Sequence, residues 1–381
     1  MSELQEICSY AKGKTNVSEL TLTNYISTEN MLPNKSGIVN ATSLPTTATT
    51  QEYLKNDILV SNIRPYFKKI WYATKKGGCL NDVLVFRAKE NIDSKFLYYL
   101  LADDAFFEYS MATSKGTKMP RGDKLSIMQY NVPDFDLTTQ KQISSILSAL
   151  DDKIELNNRI NENLELQAQA IFKSWFVDFE PFGGVMPEDW KVGNLLDIAD
   201  YLNGLAMQKF RPNENENSLP VLKIKELRQG FCDNTSDLCS ENIKSEYIIH
   251  DGDVIFSWSG SLLVDFWCGG TCGLNQHLFK VTSEKYNKWF YYSWTQYHLQ
   301  KFISIAKDMA TTMGHIKREE LKKSEVLIPN SEDYSKIGNL LSPIYDMIIA
   351  NRLENKRLAK LRDTLLPKLM NGEIDVSKVK I

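Results

Sequence analysis

The chain has 381 residues, is 43% hydrophobic and 24% charged, and carries a formal net charge of −3. That balance supports two or three folded domains and excludes a disordered polymer. No run of 18 apolar residues occurs, so nothing reads as a membrane span. The start, Met1-Ser2-Glu3-Leu4-Gln5, has neither the basic nor the apolar region of a secretory signal.

Residues 1–132 read as an α/β domain. Ile58-Leu59-Val60 and Val83-Leu84-Val85-Phe86 are short apolar runs bounded by polar residues, the signature of strands. Ser94 to Tyr109 reads as one helix with aromatics along one side. Between Asp57 and Asp82 there is no acid, while Arg64, Lys68, Lys69, Lys75 and Lys76 fall there among Tyr66, Phe67, Trp71 and Tyr72. Cations mixed with aromatics suit phosphate contacts from the lysines, with Arg64 and Tyr66 nearer base edges. The alternative is a solvated loop whose aromatics cap the core. Farther on, Lys115, Lys118 and Arg121 form a second basic cluster.

Residues 133–180 read as a long helix. Ile143, Leu147, Leu150, Ile154, Asn157, Asn161, Leu164, Ala168, Ile171 and Trp175 step by 4 and 3, an a/d stripe. Residues 181–330 repeat the order of the first domain, with strands at Val254-Ile255-Phe256 and Leu278-Phe279-Lys280-Val281 and a helix from Asn287 to Ile305. The loop after its first strand carries Trp258, Ser259, Ser261 and Trp267 and no lysine or arginine. Asn275, Gln276 and His277 offer donors and acceptors for base edges, although Asn275 also suits a turn cap. The stretch Met313-Gly314-His315-Ile316-Lys317 stands opposite Lys115 to Arg121, with Met119-Pro120-Arg121 aligned on His315-Ile316-Lys317. His315 and Lys317 are thus candidates, with a surface or capping role as the alternative for His315.

Residues 331–381 carry the second long helix, striped through Ile337, Leu341, Ile344, Ile348, Asn351, Asn355, Leu358, Arg362, Leu365 and Leu369. Ser342-Pro343 suggests that it starts at Pro343, since proline is welcome at a first turn and not in an interior. Both stripes hold two asparagines in consecutive layers, so Asn157, Asn161, Asn351 and Asn355 read as register-setting amides in a coiled coil. The halves repeat at an offset of 193 to 196 residues: Asp57 returns as Asp253, Tyr98 as Tyr291, and Asn157 as Asn351. Like units joined head to tail suggest a pseudo-twofold axis, which makes the helix pair antiparallel. Thirty-odd helical residues span about 45–50 Å, against about 34 Å for one turn of DNA. Such a rod suits a spacer between two DNA readers.

Several chemistries are missing. There is no phosphate-binding G-x-x-x-x-G-K-[ST] loop, no Asn/Asp-Pro-Pro-aromatic methyltransferase motif and no H-E-x-x-H. The cysteines, Cys8, Cys79, Cys232, Cys239, Cys268 and Cys272, match neither a disulfide framework nor a zinc ribbon. A non-catalytic chain with no metal of its own is the natural reading. An enzyme, or an adaptor that binds only protein, are the competitors.

The most specific stretches are Ala170-Ile171-Phe172-Lys173-Ser174-Trp175-Phe176-Val177-Asp178-Phe179 and Leu361-Arg362-Asp363-Thr364-Leu365-Leu366-Pro367-Lys368-Leu369-Met370-Asn371-Gly372-Glu373-Ile374, with Asp253 to Ser257 and Leu274 to His277. In these the chain resembles the specificity subunits of type I restriction-modification systems. The resemblance implies a mixed α+β protein with target recognition domains at 1–132 and 181–330. Helical spacers at 133–180 and 331–381 would form an antiparallel coiled coil. Each domain would read half of an interrupted site on double-stranded DNA. The spacers would dock two methyltransferase subunits, restriction subunits would join, and S-adenosylmethionine, ATP and Mg would belong to those partners in a prokaryotic cytoplasm. Trp175, Phe176 and Phe179, with Phe182, either bury against the recognition domains or meet a methyltransferase subunit. Leu366 and Leu369 are expected in the same docking role.

Overall fold

The structure is a computed structural model and describes residues 1–308 and 315–378. The chain forms two compact units. Unit one is Met1–Lys153 with Leu358–Ile381, and unit two is Ile154–Arg357. In unit one the strands used below are β1 (Cys8–Tyr10), β2 (Lys14–Asn16), β3 (Tyr25–Ile26), β4 (Thr49–Tyr53), β5 (Ile58–Ser61), β6 (Ile70–Tyr72), β7 (Gly77–Cys79) and β8 (Val83–Ala88). In unit two they are β9 (Asp200–Asn203), β10 (Ser218–Leu222), β11 (Leu238–Ser240), β12 (Ile248–Ile249), β13 (Val254–Ser257), β14 (Leu263–Phe266), β15 (Cys272–Leu274) and β16 (Leu278–Thr282).

Each unit holds the same antiparallel sheet. Its order is β1-β8-β5-β6 in unit one and β9-β16-β13-β14 in unit two. The predicted strands fall on β5, β8, β13 and β16. Alternation along β5 explains why they stay there. Ile58 and Val60 face a core of helices, and Leu59 faces a second sheet. In β13, Val254 and Phe256 face the helices and Ile255 faces the second sheet. The second sheet also has a shared centre. β7 pairs antiparallel with β4 and parallel with β3. β15 pairs antiparallel with β12 and parallel with β10. The outer strands differ, since β2 extends the β4 side and β11 the β10 side.

A buried or half-buried aspartate opens each central strand. Asp57 accepts the backbone N–H of Leu54 at 2.7 Å and pairs with Arg87 on β8 at 2.7 Å. Asp253 accepts that of His250 at 2.9 Å and pairs with Lys280 on β16 at 2.9 Å. The repeated aspartate in the sequence thus marks a repeated structural joint.

Two predicted helix boundaries change. The helix expected from Ser94 to Tyr109 is two, α1 (Ser94–Ala102) and α2 (Asp104–Ala112). Asp103 breaks it, because its carboxylate caps the second helix by accepting from Ala105 N at 3.0 Å. The longer helices that follow are α3 (Leu137–Phe176) and α4 (Lys288–Asp308). The last long helix, α5 (Ser331–Met370), does not start at Pro343 but runs through it. Interior proline costs about 3 kcal/mol. Here Pro343 and Asn339, four residues before it, are both exposed, so the freed carbonyl keeps access to water. Burial of Ile337, Leu341, Tyr345 and Ile348 along the opposite stripe holds the helix together.

The long helices contribute to both cores. In unit one Ile143 and Leu147 of α3 pack with Leu366 and Leu369 of α5. Arg362 donates to Asp151 at 2.7 Å, and Asp151 accepts Tyr99 Oη at 2.7 Å. Burial works against the Arg362 charge, yet Asp151 and Asp363 more than offset it and hold its pKa above the usual value. In unit two Arg352 donates to Asp265 at 2.6 Å and to Glu165 at 3.1 Å.

Candidate nucleic-acid interface

One end of the first sheet has the same backbone frame in both units. Ser61 Oγ donates to Ile63 O at 3.1 Å, and Ser257 Oγ donates to Ser259 O at 3.2 Å. Ile63 forms a bridge with Arg121, and Ser259 with His315. Gly122 N donates to Asn62 O at 3.2 Å, and Ile316 N to Trp258 O at 3.0 Å. These bonds equate Arg121 with His315. The sequence alignment of Met119 with His315 is therefore two residues out. Leu80 N donates to Ile26 O and Asn275 N to Leu222 O, so Asn275 stands where unit one has Leu80. Met313 and Gly314 lie outside the described residues.

In unit one the turn after β5 is residues 62–69, because Ser61 N donates to Lys69 O. Arg64 takes left-handed backbone, φ 51°, and its N donates to Pro120 O at 2.8 Å. Its Nε is buried without a hydrogen-bond partner. Tyr66 and Phe67 stand exposed beside each other, with ring centroids 4.7 Å apart. The two lysines that follow turn inward instead of forming a free phosphate-binding pair. Lys68 and Lys35 both hold Asp104, at 2.8 and 2.7 Å. Burial raises the Asp104 pKa, and the two ammonium groups more than offset it, leaving it below the usual carboxylate value. Lys69 donates to Thr28 O at 2.6 Å, and burial lowers its pKa.

Lys75 does not join this group. The hairpin pairs Val60 with Ile70 and Ile58 with Tyr72, so the chain beyond Tyr72 has returned to the far end of the sheet. Lys75 and Lys76 are exposed there. Lys115 and Arg121 do join it. They exchange backbone bonds at 2.9 and 3.0 Å, and the Lys115 ammonium pairs with Asp123. Arg121 Nη2 reaches Asp82 at 3.2 Å, and Lys118 is exposed on the intervening turn.

Unit two brings most of its predicted residues into contact. Ser259 Oγ lies 3.1 Å from His277 Nδ1, and Gln276 Nε2 lies 3.3 Å from His277 Nε2. Asn275 Oδ1 accepts His277 N at 3.3 Å. The Trp258 ring centroid is 6.0 Å from that of His277 and 6.2 Å from that of His315. Its Nε1 donates to Asn203 Oδ1 at 2.9 Å. Ser261 is exposed on the turn that joins β13 to β14, next to Gly260 at φ 64°. Lys317 is exposed and begins the short helix Arg318–Lys322. Asn203 and Asp82 escaped the sequence reading. Asn203 is 55 residues from its tryptophan, and no local pattern marks it. In the sequence Asp82 marks only the end of the acid-free stretch.

The helix amides also meet. In unit two Asn157 Nδ2 donates to Asn355 Oδ1 at 2.9 Å and to Glu354 at 2.7 Å. Asn351 Nδ2 donates to Asn161 Oδ1 at 2.8 Å, and Asn355 Nδ2 to Asn158 Oδ1 at 2.8 Å. Partner numbers rise on one helix as they fall on the other, so the segments run in opposite directions.

The expected docking residues are largely interior. Phe176 packs on Trp190, Phe290 and Trp294. Trp175 meets Phe182, and Phe179 meets Trp190, both half-buried. Leu366 and Leu369 are buried in unit one. Phe176, Leu366 and Leu369 thus contribute to their own cores and offer no free surface, because each is enclosed by the unit that its helix enters.

Two α/β units with one backbone frame and different side chains at the same sheet end define a duplicated two-unit architecture. The family profile described as the type I restriction modification DNA specificity domain matches residues 1–166 and 187–362, and the chain belongs to that family. The type I restriction enzyme MjaIX specificity subunit of Methanocaldococcus jannaschii is 30% identical over 312 residues, covering 76% of this chain and 71% of the relative. The HindI specificity subunit of Haemophilus influenzae is 26% identical, covering 92% of this chain and 94% of the relative. The crystal structure of the type I restriction-modification S subunit from M. genitalium aligns with a TM-score of 0.54 at 16% identity. It covers 97% of this chain and 99% of that one, a likeness of fold.

Proposed function

We propose that the chain is the DNA-recognition subunit of a type I restriction-modification complex, with each unit reading one half of an interrupted double-stranded site. It performs no chemistry of its own. Two methyltransferase subunits supply adenine methylation from S-adenosylmethionine, and restriction subunits supply ATP- and Mg-dependent cleavage, in a prokaryotic cytoplasm. The observation that carries the reading is the shared frame at one sheet end with different side chains on it. Arginine, lysine and exposed aromatics in unit one suit phosphates and guanine edges. Tryptophan, histidine and amides in unit two suit a different half-site.

The two long helices act in this reading as an antiparallel coiled coil. The amide pairs set its register, which buried asparagine does at some cost in stability. No helix among the described residues is long and apolar enough to cross a membrane. Methylome sequencing of the source cell before and after deletion of this gene tests the function. Loss of one bipartite adenine motif is expected. An unchanged methylome, or methylation by the purified chain alone, overturns it.

A further inference from the structure

We infer that Asp82 is a specificity-determining position of unit one, acting by positioning the Arg121 guanidinium against a guanine edge. The inference rests on the DNA-reading function proposed above. The backbone frame identifies the position. β8 begins at Val83 and β16 at Leu278, with Val83 N donating to Leu80 O and Leu278 N to Asn275 O. Asp82 and His277 are therefore the same place in the two units. The residues bridged to the adjoining turn, at Ile63 and at Ser259, are Arg121 and His315. One frame thus carries an aspartate with an arginine in unit one, and two histidines around a tryptophan in unit two.

The contact between Asp82 and Arg121 is not explained by stability. The side chains are 29% and 55% exposed and 3.2 Å apart, and exposed ion pairs of this kind contribute little. A carboxylate on a DNA-facing surface also opposes general phosphate binding. What the pair does is aim. The Arg121 backbone is clamped by reciprocal bonds with Lys115, and Asp82 takes one guanidinium N–H through Nη2. Arginine has five N–H donors in a rigid plane. The remaining donors are then fixed in direction, as bidentate recognition of guanine O6 and N7 requires.

The test uses the full chain assembled with its methyltransferase subunits. A randomised duplex pool first gives the wild-type site, and competition with single-base-pair variants then measures discrimination. D82N is expected to lower discrimination about tenfold at one base pair of one half-site. The other half-site keeps its preferences and serves as the internal control for folding. Binding to unrelated duplex is no weaker, because an acid has been removed beside the phosphates. R121Q erases the preference at that same base pair, and D82E restores part of it. Unchanged discrimination in D82N, or a loss spread evenly over both half-sites, overturns the inference. A wild-type chain that enriches no sequence overturns the functional reading itself, and is told apart because no substitution is involved.

Discussion

At the scale of single residues, the candidate interface pairs side chains that are poor stabilisers with backbone that is tightly held. Arg64 is the clearest case. Its left-handed φ of 51° is unfavourable for any residue that carries a Cβ, at an order of about 1–3 kcal/mol. Its Nε meets no partner. Neither feature helps the fold, which suits the DNA contact proposed for this residue. Glycine takes the same φ freely. Arg64→Gly is expected to leave the urea midpoint unchanged or raised, to weaken DNA binding, and to reduce the slope of log affinity against log salt by about 1. Titrations at several salt concentrations check this, and an unchanged slope would remove Arg64 from the interface. Lys68 and Lys69 teach the reverse lesson. Their charge looked available in the sequence, yet Asp104 and the Thr28 carbonyl already occupy it.

At the scale of elements, the helix amides and one histidine make separate predictions. Asn351 bonds Asn161 in the buried seam of unit two. Asn351→Ala leaves Asn161 Oδ1 buried and unpaired, and is expected to cost about 1–3 kcal/mol. Replacing both residues with leucine is expected to recover most of that loss, since apolar pairs of like volume tolerate the seam. Urea unfolding with an unchanged m-value checks both. His298 on α4 is buried, contacts the Glu325 carbonyl at 2.7 Å, and has its pKa lowered by burial from 6.5. A lowered histidine pKa means that the unfolded chain takes up the proton first. Stability is therefore expected to fall as pH drops through about 6.5. Unfolding curves between pH 8 and pH 5 on the native chain and on His298→Gln should diverge, with the flatter profile in the variant. Parallel profiles would show that His298 does not govern this range.

At the scale of the whole molecule, each unit is expected to answer for its own half of the target. Exchanging residues 62–69 and 115–121 for those of a family member with another target should change one half of the methylated motif and leave the other intact. A change in both halves would mean that the units do not read separately. Much of this plan was legible beforehand. The strands at Ile58, Val83, Val254 and Leu278, the long striped helices, the paired asparagines and the offset near 195 residues all arise from local periodicity and duplicated spacing, which a linear chain carries openly. What the chain could not reveal were contacts set by distant partners. Asp103 splits a helix by capping it, and Pro343 sits inside one because its exposed face tolerates the lost hydrogen bond. Phe176 is enclosed by Trp190 and Trp294. The turn that returns the chain puts Lys75 at the far end of the sheet from Arg64. Asp82 meets Arg121 across 39 residues, and Trp258 meets Asn203 across 55. Composition and spacing determine which elements form, because their chemistry repeats along the backbone. Which side chains share a surface is decided only by packing, because that depends on groups with no regular separation in the chain.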